Sequence, residues 1–245
     1  DLLPEYADAL RTDPRKARIR VRDLLTMRSG LDCDDWDRAS PGHEDRMYRR
    51  RDWLAFWAAV PMRDEPGTRF SYCTGNAVAL GRIVEIASGQ TLSAFAEAAL
   101  FEPLGIRGAQ WATWKRGSRI DSGGHLRIGP DGLRRIGQLL LDGGEAGGRR
   151  IVSEAWRDAM TTEHVQIPGQ SQRYGYLWWL DATTSPLQPR ARLWMAWGNG
   201  GNFLIVVPEL DAVVVFSGTR YNRPDALEPL LWFRDRLLPV LRDAP

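Results

Sequence analysis

Residues 197–217 read WGNGGNFLIVVPELDAVVVFS. FLIVV and AVVVF are runs of branched and aromatic side chains, and PELD between them is a turn signal. Branched side chains pack well on a pleated surface while proline and aspartate interrupt it, so the stretch is predicted to form two antiparallel strands joined tightly. Glycines 198, 200 and 201 stand at the head of the first strand, where the lack of side chains lets another backbone or a ligand approach closely. Such an exposed strand edge can present N–H groups to a developing oxyanion; a bulge or turn is the plainer alternative.

Upstream, YGYLWWL (174–180) and RLWMAWG (192–198) have the same short aromatic and branched character, which extends the pair into a meander. Downstream, ALEPLLWFRDRLLPVL (226–241) is amphipathic and predicts one closing helix packed on that sheet. The first half is different. Helical periodicity marks residues 2–10, 21–28, 52–59 and 75–88, then from Thr91 to about residue 100, and again in 129–144 and 153–164. Asp52, Thr91 and Ser153 are expected N-caps, Gly30 and Gly89 expected stops. PGTRFSY (66–72) reads as a turn and a short strand that ends on Tyr72. Helices followed by a meander and a closing helix predict an α+β fold, an antiparallel sheet flanked by helices. A mainly helical region, 1–125, would carry Tyr72; 126–245 would hold the later helices, the strands and the closing helix, the two together making one incomplete domain whose N-terminal part is missing. SGGHLRIGPDG (122–132) and TTSPLQPR (183–190) read as loops within it.

Composition narrows the function. Thirty-three basic residues against 31 acidic ones leave a net charge of +2, and the basic residues are scattered, so no stripe suits nucleic acid or anionic lipid. With 43% hydrophobic and 26% charged residues the chain is ordinary and globular, and no apolar run approaches the about 20 residues of a membrane span. It opens on DLLPEYADAL with neither an initiator Met nor a secretory signal, which predicts that the natural N-terminus lies upstream. The acidic stretch LDCDDWDRASPGHEDRMY (31–48) lacks the glycine and terminal glutamate of a calcium loop and reads as solvated. His43, His125 and His164 lack partners at metal spacing and read as structural or surface residues. Cys33 and Cys73 form no Cys-x-x-Cys pair; they are a disulfide if the acidic loop lies beside the turn after Tyr72, and otherwise two buried thiols. There is no Gly-x-Ser-x-Gly elbow and no P-loop or dinucleotide fingerprint.

Several segments, in order along the chain, resemble one serine hydrolase family, that of class C β-lactamases, D,D-peptidases, other penicillin-binding proteins and related esterases. They are IRVRDLLTMRSGL (19–31), residues 66–106 beginning PGTRFSYCTGN, HLRIGPDGLRRIGQLLLDGG (125–144), YGYLWW (174–179) and WGNGGNFLIVVPELDAVVVFSG (197–218). The resemblance implies an acyl-enzyme mechanism without metal or organic cofactor. It makes Tyr72 the acid/base phenol of a Tyr-x-Asn motif, Asn199, Gly200 and Gly201 the third motif, and the N–H of Asn202 half of an oxyanion hole. Trp197, with Trp178 and Trp179, would line an apolar pocket or simply belong to the core.

Three departures shape the expectation. Thr74 stands where the family commonly has asparagine, and Asn76 substitutes for that amide only if the turn is rearranged. Asn199 replaces a basic residue, which favours ester or amide substrates over efficient β-lactam hydrolysis. The only lysines are Lys16 and Lys115, preceded three residues earlier by Asp13 and Ala112, so Ser-x-x-Lys is absent. The reading that follows is the C-terminal part of a serine hydrolase acting on a small-molecule or peptide substrate, its nucleophile upstream or on an N-terminal companion fragment. The rival is a non-catalytic binding or regulatory module. By resemblance the protein would be periplasmic or secreted.

Overall fold

The computed structural model describes residues 2–114, 119–182 and 191–243. Lys115 and the TTSPLQPR loop lie outside the described residues. The chain divides into two compact units, Asp1–Phe101 with Ala109–Arg127 and Glu102–Gly108 with Ile128–Pro245.

In the first unit the helices are α1 (Ala7–Leu10), α2 (Val21–Leu25), α3 (Glu44–Met47), α4 (Trp53–Ala59), α5 (Thr74–Ser88) and α6 (Leu92–Ala96), with a two-residue antiparallel pair β1 (Gln110–Trp111) and β2 (Leu126–Arg127). Local chemistry sets their ends. Asp52 Oδ1 accepts from Ala55 N at 2.9 Å to start α4, and Gly89 at φ +69° returns its N–H to Glu85 O to stop α5. Leu54, Trp57, Val78 and Ala79 are at most 3% exposed where α4 meets α5, and each large apolar side chain buried there contributes about 1.5–3 kcal/mol. Two expectations fail. Helix α2 ends at Leu25, and the first left-handed residue beyond it is Met27 at φ +55°, so the helix stops before Gly30, which is itself at φ +79°. Residues 69–73 belong to no helix and no strand.

In the second unit α7 (Pro130–Leu141), the small hairpin β3 (Glu145–Ala146) and β4 (Arg149–Arg150), and α8 (Glu154–Met160) precede the sheet strands β5 (Val165–Gln166), β6 (Arg173–Tyr174), β7 (Trp179–Ala182), β8 (Arg192–Gly198), β9 (Asn202–Val207) and β10 (Ala212–Phe216). The sheet is antiparallel in the order β10-β9-β8-β7-β6-β5. Alternation divides its faces. Leu180, Trp194, Leu204, Val206 and Val213 pack with Ile136 and Leu140 of α7. On the other face Met195, Phe203, Ile205 and Val207 are at most 1% exposed, and Phe216, opposite Phe203, meets Trp232 edge-on at 6.2 Å.

YGYLWWL is a hairpin rather than one strand: Gly175 N donates to Trp178 O at 2.8 Å and Leu177 adopts φ +61°. The closing helix is present and continuous, made of α9 (Glu228–Trp232), a π turn at Phe233–Leu237 and α10 (Leu238–Asp243). Pro239 lacks an N–H inside the helix, whereas Pro229 stands in the first turn, where a missing N–H forfeits no helical bond.

Candidate active site

Tyr72 is positioned by residues far from it in sequence. Ser71 N donates to Met27 O at 2.9 Å, and Asp35 N donates to Tyr72 O at 2.9 Å. Ser71 Oγ donates to Cys33 O at 2.7 Å. Cys33 and Cys73 form a disulfide across 40 residues and are 2% and 0% exposed. The acidic loop therefore does lie beside the turn after Tyr72. Trp36 stacks on the Tyr72 ring, centroids 5.8 Å apart and planes within 2°, so the phenol is braced on one face.

Asp35 is the hub of this region. Its Oδ2 accepts from Thr74 N at 2.6 Å and its Oδ1 from Glu44 N at 2.8 Å, so one carboxylate serves the first turns of both α5 and α3. Free N–H groups and the helix dipole attract an anion at each of those ends. Thr74 Oγ1 and the Tyr48 hydroxyl both donate to Glu44 Oε2, at 3.1 and 3.2 Å. Two carboxylates thus lie close together, half-buried. Burial lifts Asp35 to about 6, opposed by the Thr74 N–H and reinforced by the Glu44 charge. Tyr72 is pushed up to about 12 by burial, then by Asp35 and Glu44. Tyr48 moves up for the same reasons, with Asp121 adding to Glu44 and Asp35. As it stands the Tyr72 phenol is a proton donor at neutral pH; a cation brought beside it would be needed to turn it into a base.

Thr74 is 6% exposed with its hydroxyl turned to Glu44, so in this arrangement it organises the acid pair rather than facing solvent. Asn76 is fully buried, its Oδ1 accepting from Trp57 Nε1 at 3.1 Å, and the turn is not rearranged to present it. Lys16 is a buried structural residue whose Nζ donates to Ala58 O at 2.6 Å.

In the second unit residues 199–201 are the turn joining β8 to β9, with Gly198 opposite Asn202. Gly200 and Gly201 have φ near +88° and +85°. Asn199 Nδ2 donates to Asn222 Oδ1 at 2.8 Å and its Oδ1 accepts from Asn222 N at 3.1 Å. The Asn202 side chain clamps the turn from below, donating to Asn199 O at 2.7 Å and to Gly218 O at 3.1 Å and accepting from Gly218 N at 3.1 Å. A Cβ on Gly218 would lie 2.3 Å from Gly200 O, so backbone passes against backbone there. Trp179 is 6% exposed between Tyr174 and Trp197, and Trp178 packs in the core beside α7. Trp197, half-buried, lies 5.8 Å from Phe203.

Sequence reading missed Asp35, Trp36, Glu44 and Tyr48. Their signal was present as acid–aromatic spacing in residues 31–48, but nothing local says which acids turn inward.

Fold and motifs together define the β-lactamase/transpeptidase-like class of hydrolases. The chain belongs to the beta-lactamase family, whose sequence profile matches residues 2–234. It is 33% identical over 203 residues to the 6-aminohexanoate-dimer hydrolase of Paenarthrobacter ureafaciens, covering 73% of this chain and 49% of that relative. A structure from Bacillus anthracis assigned as a 6-aminohexanoate-dimer hydrolase superposes with a TM-score of 0.76 at 18% identity, over 97% of this chain and 64% of the other. A penicillin binding protein from Bacillus halodurans gives 0.68 at 20% identity, over 92% and 76%. At such identities the superpositions speak for the fold alone. The chain spans about half the length of the Paenarthrobacter relative it matches. Among the described residues no helix is long and apolar enough to cross a membrane.

Proposed function

We propose that this chain supplies the tyrosine and oxyanion-strand portion of a serine hydrolase that cleaves a short linear amide or an ester through an acyl-enzyme. The observation that carries the reading is the bracing of Tyr72: a disulfide, a stacked indole and two backbone hydrogen bonds fix a phenol at the start of α5. The nucleophile is a serine of Ser-x-x-Lys outside these 245 residues. Its lysine would be the cation that draws the Tyr72 proton affinity down, so that the phenol takes the serine proton and returns it to the leaving group. The Asn202 N–H at the head of β9 would bind the oxyanion. The amide preference follows the Paenarthrobacter relative, and Asn199 in place of a cation argues against a β-lactam carboxylate. A periplasmic or extracellular setting would keep the Cys33–Cys73 bond oxidised.

The test is labelling of the protein by a serine-reactive fluorophosphonate, followed by intact mass under denaturing conditions. An adduct on a polypeptide bearing Ser-x-x-Lys, competed by a linear amide, is expected. A preparation from the natural source with no adduct overturns the reading.

One observation favours a non-catalytic binding module instead. Thr74, at the family's amide position, is buried and committed to Glu44, while Asn199 is tied to Asn222. That reading predicts substrate binding without turnover, visible as ligand-dependent stabilisation with no acyl adduct.

A further inference from the structure

Trp36 is out of keeping with the tryptophans around it. Trp53, Trp57 and Trp114 in the same unit are at most 6% exposed, whereas Trp36 is 53% exposed. A lone exposed apolar side chain is ordinary on a protein surface. This one lies against the phenol that the hydrolase reading makes the acid/base group.

The indole is parallel to the Tyr72 ring within 2°, with centroids 5.8 Å apart, and it meets Phe70 at 5.9 Å and 39°. Stacked rings touch at about 3.5–4.0 Å, so parallel rings with centroids 5.8 Å apart are offset sideways by roughly 4–5 Å. The indole therefore overhangs the phenol instead of capping it. One indole face is taken by Tyr72, and the area left open is the opposite face and the overhanging rim.

The backbone that carries the ring is fixed on both sides. Trp36 N donates to Asp34 Oδ1 at 2.9 Å, and Asp37 N donates to Asp34 O at 3.3 Å. Between them Asp35 is tied to Tyr72 O by its N–H and to the first turns of α3 and α5 by its carboxylate. Three residues upstream of the indole, the disulfide joins the same stretch to Cys73. A tryptophan has only two side-chain torsions, so on a fixed backbone little ordering remains when a ligand packs on it.

In the proposed reaction the Tyr72 hydroxyl returns a proton to the leaving group. That transfer needs the leaving nitrogen or oxygen within hydrogen-bond reach of the hydroxyl, about 2.6–3.2 Å. The substituent on the leaving atom then starts beside the phenol, and the overhanging indole is an open apolar surface one ring's width away.

We propose that Trp36 is a specificity-determining residue: it forms the apolar wall on which the hydrocarbon part of the leaving amine or alcohol packs as the acyl-enzyme forms. This rests on the hydrolase reading above and adds to it the class of leaving group, an unbranched aliphatic chain. Such a chain lying along one indole face is shielded from water on that side only, so selectivity is graded with chain length. No bond is made or broken at Trp36, which acts through contact area alone.

The test is a homologous series of leaving groups, in the protein that carries both this chain and its nucleophile. Methyl to hexyl acetates share one acyl group and have alcohols of similar basicity, so chain length is the main variable. In wild type kcat/KM should rise roughly twofold per methylene, short of the roughly fourfold that complete burial of a CH2 would give. Trp36→Ala should flatten that slope, and Trp36→Phe, with a smaller ring, should keep part of it. The slope is the readout because Trp36 also braces Tyr72: lost bracing lowers the rate for every ester by one factor and leaves the slope alone. A second series, ethyl acetate to ethyl hexanoate, lengthens the acyl side and should keep its own slope in both variants. A loss in Trp36→Ala that is equal across the acetates, or a change of slope confined to the acyl series, overturns the wall. So does wild-type protein that takes a fluorophosphonate adduct and cleaves the acetates without regard to chain length. Wild-type protein with neither turnover nor adduct overturns the hydrolase reading and the wall with it.

Discussion

The two motif segments are held in place by different means. The 199–201 turn hangs from two paired strands that are neighbours in sequence, so the ladder that builds the sheet also builds the turn. Tyr72 has no ladder: Met27, Cys33 and Asp35 hold it through single hydrogen bonds and one disulfide. A strand edge is therefore as robust as its sheet, whereas the tyrosine is only as well placed as the acidic loop beside it.

The strongest way to break that contrast is Cys33→Ala with Cys73→Ala. Removing a 40-residue cross-link should lower stability by on the order of 4 kcal/mol on a chain-entropy account, read from urea unfolding. Amide exchange should quicken at Asp35 and Thr74 and stay slow in β9; equal quickening in both places would erase the distinction. Next comes Tyr72→Phe, expected to cut kcat by a hundredfold or more, about 3 kcal/mol, with little change in unfolding midpoint. Unchanged turnover would remove the phenol from the chemistry and leave only its packing.

A smaller effect follows from Asp35. Its carboxyl titrates at about 6 in the folded protein, above the ordinary aspartate value, so the folded state holds a proton that the unfolded chain has already released. Stability from this group is therefore highest at low pH and declines as pH rises from about 4 to about 6, with no further change above. Urea midpoints of wild type and Asp35→Asn across that window should diverge, wild type losing ground as pH rises; parallel curves would mean Asp35 is ionised throughout. Smallest is Asn199→Ala in the second unit, which forfeits two exposed hydrogen bonds to Asn222 and should cost about 1 kcal/mol or less. A larger loss would show that the turn depends on its side chains and not on the ladder.

The same contrast explains what the sequence disclosed. FLIVV and AVVVF are strands because their partners are adjacent and alternate faces are both covered, and Asp52, Thr91 and Ser153 cap helices because capping is a matter of three residues. Tyr72 lies two residues ahead of the first residue of α5. The predicted strand through PGTRFSY failed because its hydrogen-bond partners come from residues 27–35, which offer single contacts and not a ladder. The acidic loop read as solvated because charge density alone favours water. Which of its carboxylates turns inward depends on where the starts of α3 and α5 arrive, and that is tertiary information.

The contact of Gly218 with Gly200 bears on how this protein can change over time. With the missing side chain's place 2.3 Å from a carbonyl oxygen, position 218 admits a single letter of the amino-acid alphabet whatever substrate is selected. Asn199, whose side chain reaches only Asn222, is free to vary by comparison. In a deep mutational scan, column 218 would stay blank under every selection, marking a hinge of inheritance and not of chemistry.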